Sequence, residues 1–174
     1  MAITKKLAEL LAERGLIQRR LASNDYWMAK FGSIPTWLDV SVDPAELLAE
    51  SEVLNTRLAV VIKAINAANS TCTIVDGTSL CNAMIDRDIV ARRIAVIRKV
   101  LADMPDFNAA DKTTGPVLVP VVDIAALHAE ADALSKQHRL LNVRIQQANW
   151  ANAVEIPEAD ARAVEALAGR DGPI

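Results

Sequence analysis

The stretch from residue 122 to residue 150 constrains the fold more than any other part of the chain. Apolar or small side chains, with one histidine among them, recur at alternating steps of three and four residues: Ile124, Leu127, Ala131, Leu134, His138, Leu141, Ile145 and Ala148. This heptad spacing holds one stripe of a long helix against a partner helix. The sequence therefore predicts a helix-packing protein, whereas the stripe by itself indicates no biochemical activity.

Three further segments carry a similar stripe. The spacing predicts a first helix over 4–30 and a second that opens at Asp43-Pro44, because Asp caps a helix and Pro suits its first position. A third begins after Thr78 or Ser79 and ends before Met104-Pro105. In the fourth, the heptad helix, Asp123 is expected to be the cap.

Short β segments are predicted between the helices, near 72–75 before an Asp-Gly turn, over 117–122, and over 152–156. Residues 37–42 read as a loop or short strand. The predicted fold class is mainly α: a bundle of four long heptad-patterned helices, arranged as antiparallel hairpins, with a small accessory β-sheet. We expect one helical domain over 1–156 and a weakly helical tail over 157–174.

Composition argues against several classes of partner. The chain has 174 residues, a net charge of −3 and 3% aromatic residues, so no overall field favours nucleic acid or an anionic membrane. No apolar run approaches the length of a bilayer span, and the first residues do not resemble a signal peptide. Cys72 and Cys81 are expected to be reduced thiols, although a bridge across the turn is conceivable. We therefore expect a cytoplasmic protein.

A polar cluster after the second helix is the first candidate for a ligand site. It comprises Asn66, Asn69, Thr71 and Asp76, and Arg87 adds a cation at a stripe position where it needs a partner such as Asp132. Side-chain oxygens of this kind bind small molecules or ions. The same residues also satisfy the last carbonyls of a helix, and we favour that structural interpretation.

The remaining candidates have simpler structural explanations. His128 and Asp132 lie four residues apart, which favours an exposed ion pair over a metal site. The basic residues Arg92, Arg93, Arg98 and Lys99 indicate a solvated helix face or a subunit contact to Glu50 and Glu52. His138 on the stripe would set register or oligomeric state, and a pH-sensitive assembly is the alternative. We predict no catalytic residue, no metal ligand and no cofactor.

Two stretches show a family resemblance. One runs from Ile65 through Asp76-Gly77-Thr78 to Arg87-Asp88, and the other ends in Arg144-Ile145-Gln146 and Asn149-Trp150. Together they resemble the DIP1984-like family of bacterial proteins, some of which carry the label septicolysin. The resemblance covers most of residues 1–150. It implies a mostly helical, oligomeric protein without an assigned biochemical role.

The leading hypothesis is a non-enzymatic homo-oligomer that binds neither nucleic acid nor membrane. Its packing seam would comprise Leu127, Leu134, His138, Leu141, Ile145 and Trp150. One alternative is a small-molecule- or metal-binding protein with its site near Asn66, Asn69 and Asp76. The other is a membrane-active cytolysin, which rests on the septicolysin label alone.

Overall fold

Four long helices and two short strands make up the protein. The computed structural model describes residues 3–31, 43–105, 119–157 and 160. The elements in chain order are β1 (Ile3–Lys6), α1 (Leu7–Phe31), α2 (Pro44–Thr71), α3 (Leu80–Ala102), α4 (Ile124–Ala151) and β2 (Ala153–Ile156). The predicted fold class, mainly α with a small accessory sheet, is confirmed.

The chain divides into two compact units. The first combines Met1–Cys72 with Ala148–Ile174, and the second is the intervening segment Thr73–Gln147. The first unit therefore contains the sheet, α1, α2 and the last residues of α4. The second contains α3 and most of α4.

In the first unit, α1 and α2 pack side by side in opposite directions. Arg57 of α2 pairs with Glu13 of α1, whereas Glu50, which comes earlier in α2, pairs with Arg20, which comes later in α1. Residue numbers therefore rise along one helix as they fall along the other. The apolar residues buried in this unit include Leu7, Leu10, Ile17, Leu47, Leu54, Val61, Ile65, Val154 and Ile156. At the start of α2, Asp43 accepts a hydrogen bond from the Ala45 amide at 2.8 Å, as the cap prediction required.

The sheet corrects the predicted start of the first helix. Residues 3–6 form strand β1, which pairs antiparallel with β2 so that Ile3 faces Ile156 and Lys6 faces Ala153. Helix α1 begins only at Leu7, where the Glu9 carboxylate accepts a hydrogen bond from the Lys6 amide at 2.7 Å. The strand at 152–156 is predicted correctly. No local sequence pattern indicates the first strand, because its partner strand lies about 150 positions away in the chain.

A tight turn opens the second unit. Thr73 and Ser79 form an isolated antiparallel bridge around it, and Gly77 has a positive φ of 85°, which a side chain rarely adopts. The Asp76 carboxylate accepts a hydrogen bond from the Thr78 amide. Ser79 then caps α3 by accepting from the Asn82 amide at 3.2 Å. The predicted β segment is thus a single bridge with an Asp-Gly turn.

Helices α3 and α4 pack as an antiparallel hairpin. Asp76, just before α3, pairs with Arg144 near the end of α4, whereas Arg93 in the middle of α3 pairs with Glu130 in the first half of α4. Their shared core contains Val90, Ile94, Ile97, Ala131 and Leu134, with Leu101, Leu127 and Leu141 packed against it. Asp123 caps α4 by accepting from the Ala126 amide at 2.9 Å.

Other predicted segments fall partly or wholly outside the described residues. Residues 119–122 are described and form no strand, which corrects that part of the predicted strand over 117–122. The loop expected over 37–42 and almost all of the tail over 157–174 lie outside the described residues. Helix α3 ends at Ala102, close to the predicted stop at Met104-Pro105.

Candidate functional site

A groove of about 450 Å³ runs along one side of the α3–α4 hairpin. Its apolar lining comes from α3, where Ala91 and Ala95 are small enough to leave space beside Ile94. Its polar lining is contributed by Arg98 of α3 and by Ser135, His138 and Arg139 of α4. Volumes of a few hundred cubic ångströms that combine apolar walls with a few polar groups are typical of small-molecule sites.

The polar groups of the groove are mainly cationic or hydrogen-bond donors. Arg98 donates to the Ser135 hydroxyl at 3.4 Å, a long contact, while that hydroxyl donates to the Ala131 carbonyl at 2.7 Å. The Asn142 amide nitrogen lies 3.3 Å from His138 Nδ1. No carboxylate is found among the described residues that line the groove.

A second surface lies on the side of α3 that faces away from its core. We call it the α3 stripe and define it as Ile85, Ile89, Val96 and Val100. The first three are 54%, 54% and 57% exposed, and Val100 is 42% exposed. A helix that is apolar on two separate faces normally has both faces covered. The stripe is therefore a candidate contact surface.

The predicted polar cluster divides between the two units. Asn66, Asn69 and Thr71 belong to the first unit, at the end of α2. The Thr71 hydroxyl donates to the backbone carbonyl of Ala67, and the Ser70 hydroxyl donates to the backbone carbonyl of Asn66. The predicted ligand-binding role of these residues remains a prediction.

Asp76 and Arg87 belong to the second unit. The hydrogen bond from the Thr78 amide lowers the pKa of the Asp76 carboxyl, and the Arg144 guanidinium at 3.0 Å lowers it further. Arg87 pairs with the adjacent Asp88 at 2.7 Å, so the suggested partnership with Asp132 is wrong. An arginine can reach a neighbouring carboxylate on the helix surface, and it therefore needs no partner across the hairpin.

The predicted seam residues have different surroundings. Leu134 and Ile145 are buried, and Leu127 and Leu141 pack against the α3–α4 core. His138 lines the groove, and Trp150 is 61% exposed. Packing within the hairpin accounts for the leucines, and their predicted part in an oligomer remains a prediction. The groove was not predicted from the sequence, although two small residues and an arginine on one flank of α3, Ala91, Ala95 and Arg98, are consistent with a cavity there.

The structure also shows the surroundings of the predicted histidine–aspartate pair and of the two cysteines. His128 and Asp132 are exposed, and the predicted ion pair between them is absent among the described residues. Cys72 and Cys81 are free thiols. Within the described ranges no group of three His, Cys, Asp or Glu side chains is arranged to hold a metal ion.

Two carboxylates of the first unit are tied to cations. Burial raises the pKa of Glu13, but the hydrogen bonds and charges of Lys5 and Arg57 outweigh it, so the pKa is lowered. Glu50 has a lowered pKa for the same reason, through Arg20 and Asn24. Because Arg20 already binds the Glu50 carboxylate, Glu50 has no free carboxylate for the suggested subunit contact with the basic residues of α3.

Comparison with known protein families gives one match. The sequence pattern of a family of unknown function, DUF6847, matches residues 39–154, which include α2, α3 and α4. The chain belongs to this family. The groove and the α3 stripe of this DUF6847 member both lie within the matched residues. The DIP1984-like name and the septicolysin label are not part of this match.

A solved structure shares the fold of this DUF6847 member. It is a crystal structure of a functionally unknown conserved protein from Corynebacterium diphtheriae, 25% identical in sequence, with a TM-score of 0.78. The match covers 87% of this chain and 99% of that protein. No curated protein matches the chain significantly. The similarity supports the helical architecture and assigns no activity.

Membrane insertion through a helix finds no support in the described part of the chain. None of its helices combines the length and the apolar character that a bilayer crossing requires.

Proposed function

We propose that this chain is a non-enzymatic helical protein whose function depends on self-assembly, and that the α3 stripe is the contact between copies. The stripe is the observation that carries the proposal. Its four aliphatic residues stay about half exposed although another face of α3, about 120° away around the helix, already packs on α4. Association removes this apolar surface from water, which is favourable in proportion to the area buried.

The spacing of the stripe favours a second copy of the same helix as the occupant. Ile85 and Val100 are equally far from the midpoint between Arg92 and Arg93, and so are Ile89 and Val96. A two-fold axis at that midpoint would bring Ile85 of one copy opposite Val100 of the other, and Ile89 opposite Val96. A self-complementary surface of this kind is what a symmetric dimer requires.

The charges beside the stripe favour the antiparallel arrangement. Asp88 and Lys99 are separated by about three helical turns and therefore lie on the same flank of α3. Within the chain Asp88 pairs with Arg87 at 2.7 Å and Lys99 with Asp103 at 3.0 Å, and all four side chains border water, so both charges can also face a second copy. In a two-fold antiparallel pair, Asp88 of one copy comes within about 3 Å, along the helix axis, of the level of Lys99 of the other. A parallel two-fold pair would instead place the two copies of each residue at the same level but on opposite flanks of the contact, so that Asp88 and Lys99 do not meet. The dimer is therefore expected to be antiparallel.

Arg92 is the unfavourable element of this contact. It interrupts the stripe near the proposed axis and forms no ion pair with a described residue. Two copies of Arg92 would meet there, with their charged ends extended into water. This crowding weakens the dimer, so Arg92→Leu is expected to strengthen it.

Sedimentation velocity over a range of concentrations tests the proposal. We expect the wild-type chain to sediment as a dimer and Ile89→Asp to weaken the dimer by about a hundredfold or more, because the change acts twice across the axis and places carboxylates in an apolar contact. The matched control is Leu140→Asp on α4, since Leu140 is 51% exposed and lies outside the stripe. It should sediment like the wild type.

Charge exchange tests the orientation. Asp88→Lys and Lys99→Asp should each weaken the dimer several-fold, and the double variant should restore it, because the antiparallel pair regains opposite charges. A wild-type monomer at every concentration would refute the proposal. An oligomer that tolerates Ile89→Asp would show that the copies meet elsewhere, and an unrestored double variant would exclude the antiparallel arrangement.

Four narrower hypotheses concern the family kinship, the cellular location, a cytolytic activity and a ligand site. The kinship with the DIP1984-like family is supported by the Arg144–Trp150 motif, which lies within the residues matched by DUF6847. The cytoplasmic location is supported by two free thiols. The cytolysin hypothesis rests on the septicolysin label alone, and a liposome-leakage assay should give no release. For the site near Asn66, Asn69 and Asp76, a thermal-shift screen and metal analysis would supply the evidence.

A further inference from the structure

The groove beside the α3–α4 hairpin is independent of the proposed dimer contact. Ala95 lines the groove, and its sequence neighbour Val96 belongs to the stripe, so the two point about 100° apart around α3. We infer that the groove binds a small molecule with an apolar body and one oxyanion group, either a carboxylate or a phosphate.

The arginines of the groove lack the carboxylate partners that Arg87 and Arg93 of α3 have. Arg87 pairs with Asp88 at 2.7 Å and Arg93 pairs with Glu130 at 2.6 Å. Among the described residues, Arg98 contacts the Ser135 hydroxyl alone, at a long distance, and Arg139 forms no ion pair. Two guanidinium groups at one cavity without a carboxylate attract an anion, and their planar forks suit carboxylate and phosphate oxygens.

The other polar groups agree with an anion. The His138 ring adds one N–H donor to the groove, and its Nδ1 lies 3.3 Å from the Asn142 amide nitrogen. Ser135 already donates to the Ala131 carbonyl and accepts from Arg98, so it positions Arg98 rather than binding the ligand. The donors of the groove therefore outnumber its acceptors, which excludes a cation as the preferred ligand.

The apolar lining determines the rest of the ligand. Ala91, Ile94 and Ala95 offer no hydrogen-bonding side chain, and the two alanines provide the space that larger residues would fill. An apolar body placed against them leaves water while the oxyanion stays near the arginines at the rim. A bare inorganic anion would use the charges and leave this surface unused.

Isothermal titration calorimetry with four probes tests the inference on the full chain. Phenyl phosphate and benzoate carry the two oxyanions on an apolar body, inorganic phosphate lacks the body, and phenol lacks the charge. We expect at least one aromatic anion to bind about tenfold more tightly than inorganic phosphate, with no measurable binding of phenol. The comparison of phenyl phosphate with benzoate identifies the oxyanion.

Variants at exposed positions separate the groove from general charge attraction. Arg98→Ala and Arg139→Ala should each weaken binding about tenfold. Lys136→Ala removes the same charge from α4 outside the groove and should have no effect. Ala95→Leu fills the groove without changing charge and should abolish binding. Failure of both aromatic anions to bind, equal weakening by Lys136→Ala, or unchanged binding in Ala95→Leu would overturn the inference.

Discussion

Glu13 gives the sharpest prediction about stability. Its carboxylate, on a residue that is only 8% exposed, accepts from Lys5 of β1 at 2.7 Å and from Arg57 of α2 at 2.8 Å, so it links three elements of the first unit. Glu13→Gln keeps the shape and removes the charge, which leaves two partly buried cations without compensation. Loss of one member of a buried charge cluster costs about 3 kcal/mol.

Urea unfolding followed by tryptophan fluorescence measures this cost. Trp27 and Trp150 belong to the same unit as Glu13 and report on its unfolding. For a typical urea slope, a loss of about 3 kcal/mol lowers the midpoint by roughly 1–3 M. Glu50→Gln is the control, because Glu50 also joins α1 and α2 but is more exposed, and it should cost about 1 kcal/mol.

The pH dependence of the Glu13→Gln effect follows from the lowered pKa. A carboxyl whose pKa is lower in the folded state stabilises the fold above its unfolded value, here 4.5, and this stabilisation is lost as the pH falls through the folded pKa. The difference between wild type and Glu13→Gln should therefore be largest at neutral pH and shrink in acid. A difference that is independent of pH, or no greater than that of Glu50→Gln, would refute this reasoning.

Three further predictions concern the turn before α3. Gly77→Ala should destabilise the second unit by about 1 kcal/mol through backbone strain alone, because no atom lies within 4 Å of an added Cβ; hydrogen exchange of the α3 amides measures this. Ser79→Ala should cost about 1 kcal/mol in the same assay and Ser79→Gly only a few tenths, and equal costs would contradict the capping role. In an NMR titration, Asp76 should have a lowered pKa that Arg144→Ala raises only in part, since the Thr78 amide still donates to it; a return to the ordinary value would show that Arg144 dominates.

The helices could be predicted because their signals are local. Asp43, Ser79 and Asp123 each cap a helix where the sequence indicates, since a cap bonds to amides two or three residues away. Strand β1 was not predictable, because residues 3–6 continue the helical pattern and only distant residues 153–156 make them a strand.

The basic residues of α3 show why the candidate site was only partly predictable. The sequence presents Arg92, Arg93, Arg98 and Lys99 as one patch. The structure separates them: Arg93 pairs with Glu130, Arg98 lines the groove, and Arg92 and Lys99 lie beside the stripe. Neighbours in sequence point in different directions around a helix, and which direction is covered depends on the packing of α4.

The pairing of β1 with β2 has a consequence for biosynthesis. The first residues of the chain must wait until residues 153–156 have left the ribosome before they can form their strand, whereas the α3–α4 hairpin needs only contacts between residues 73 and 147. The later part of the chain would therefore fold before the earlier part is complete. Until then α1 and α2 would pack against each other with one edge of their core exposed to water, and β2 would cover that edge once it has been synthesised.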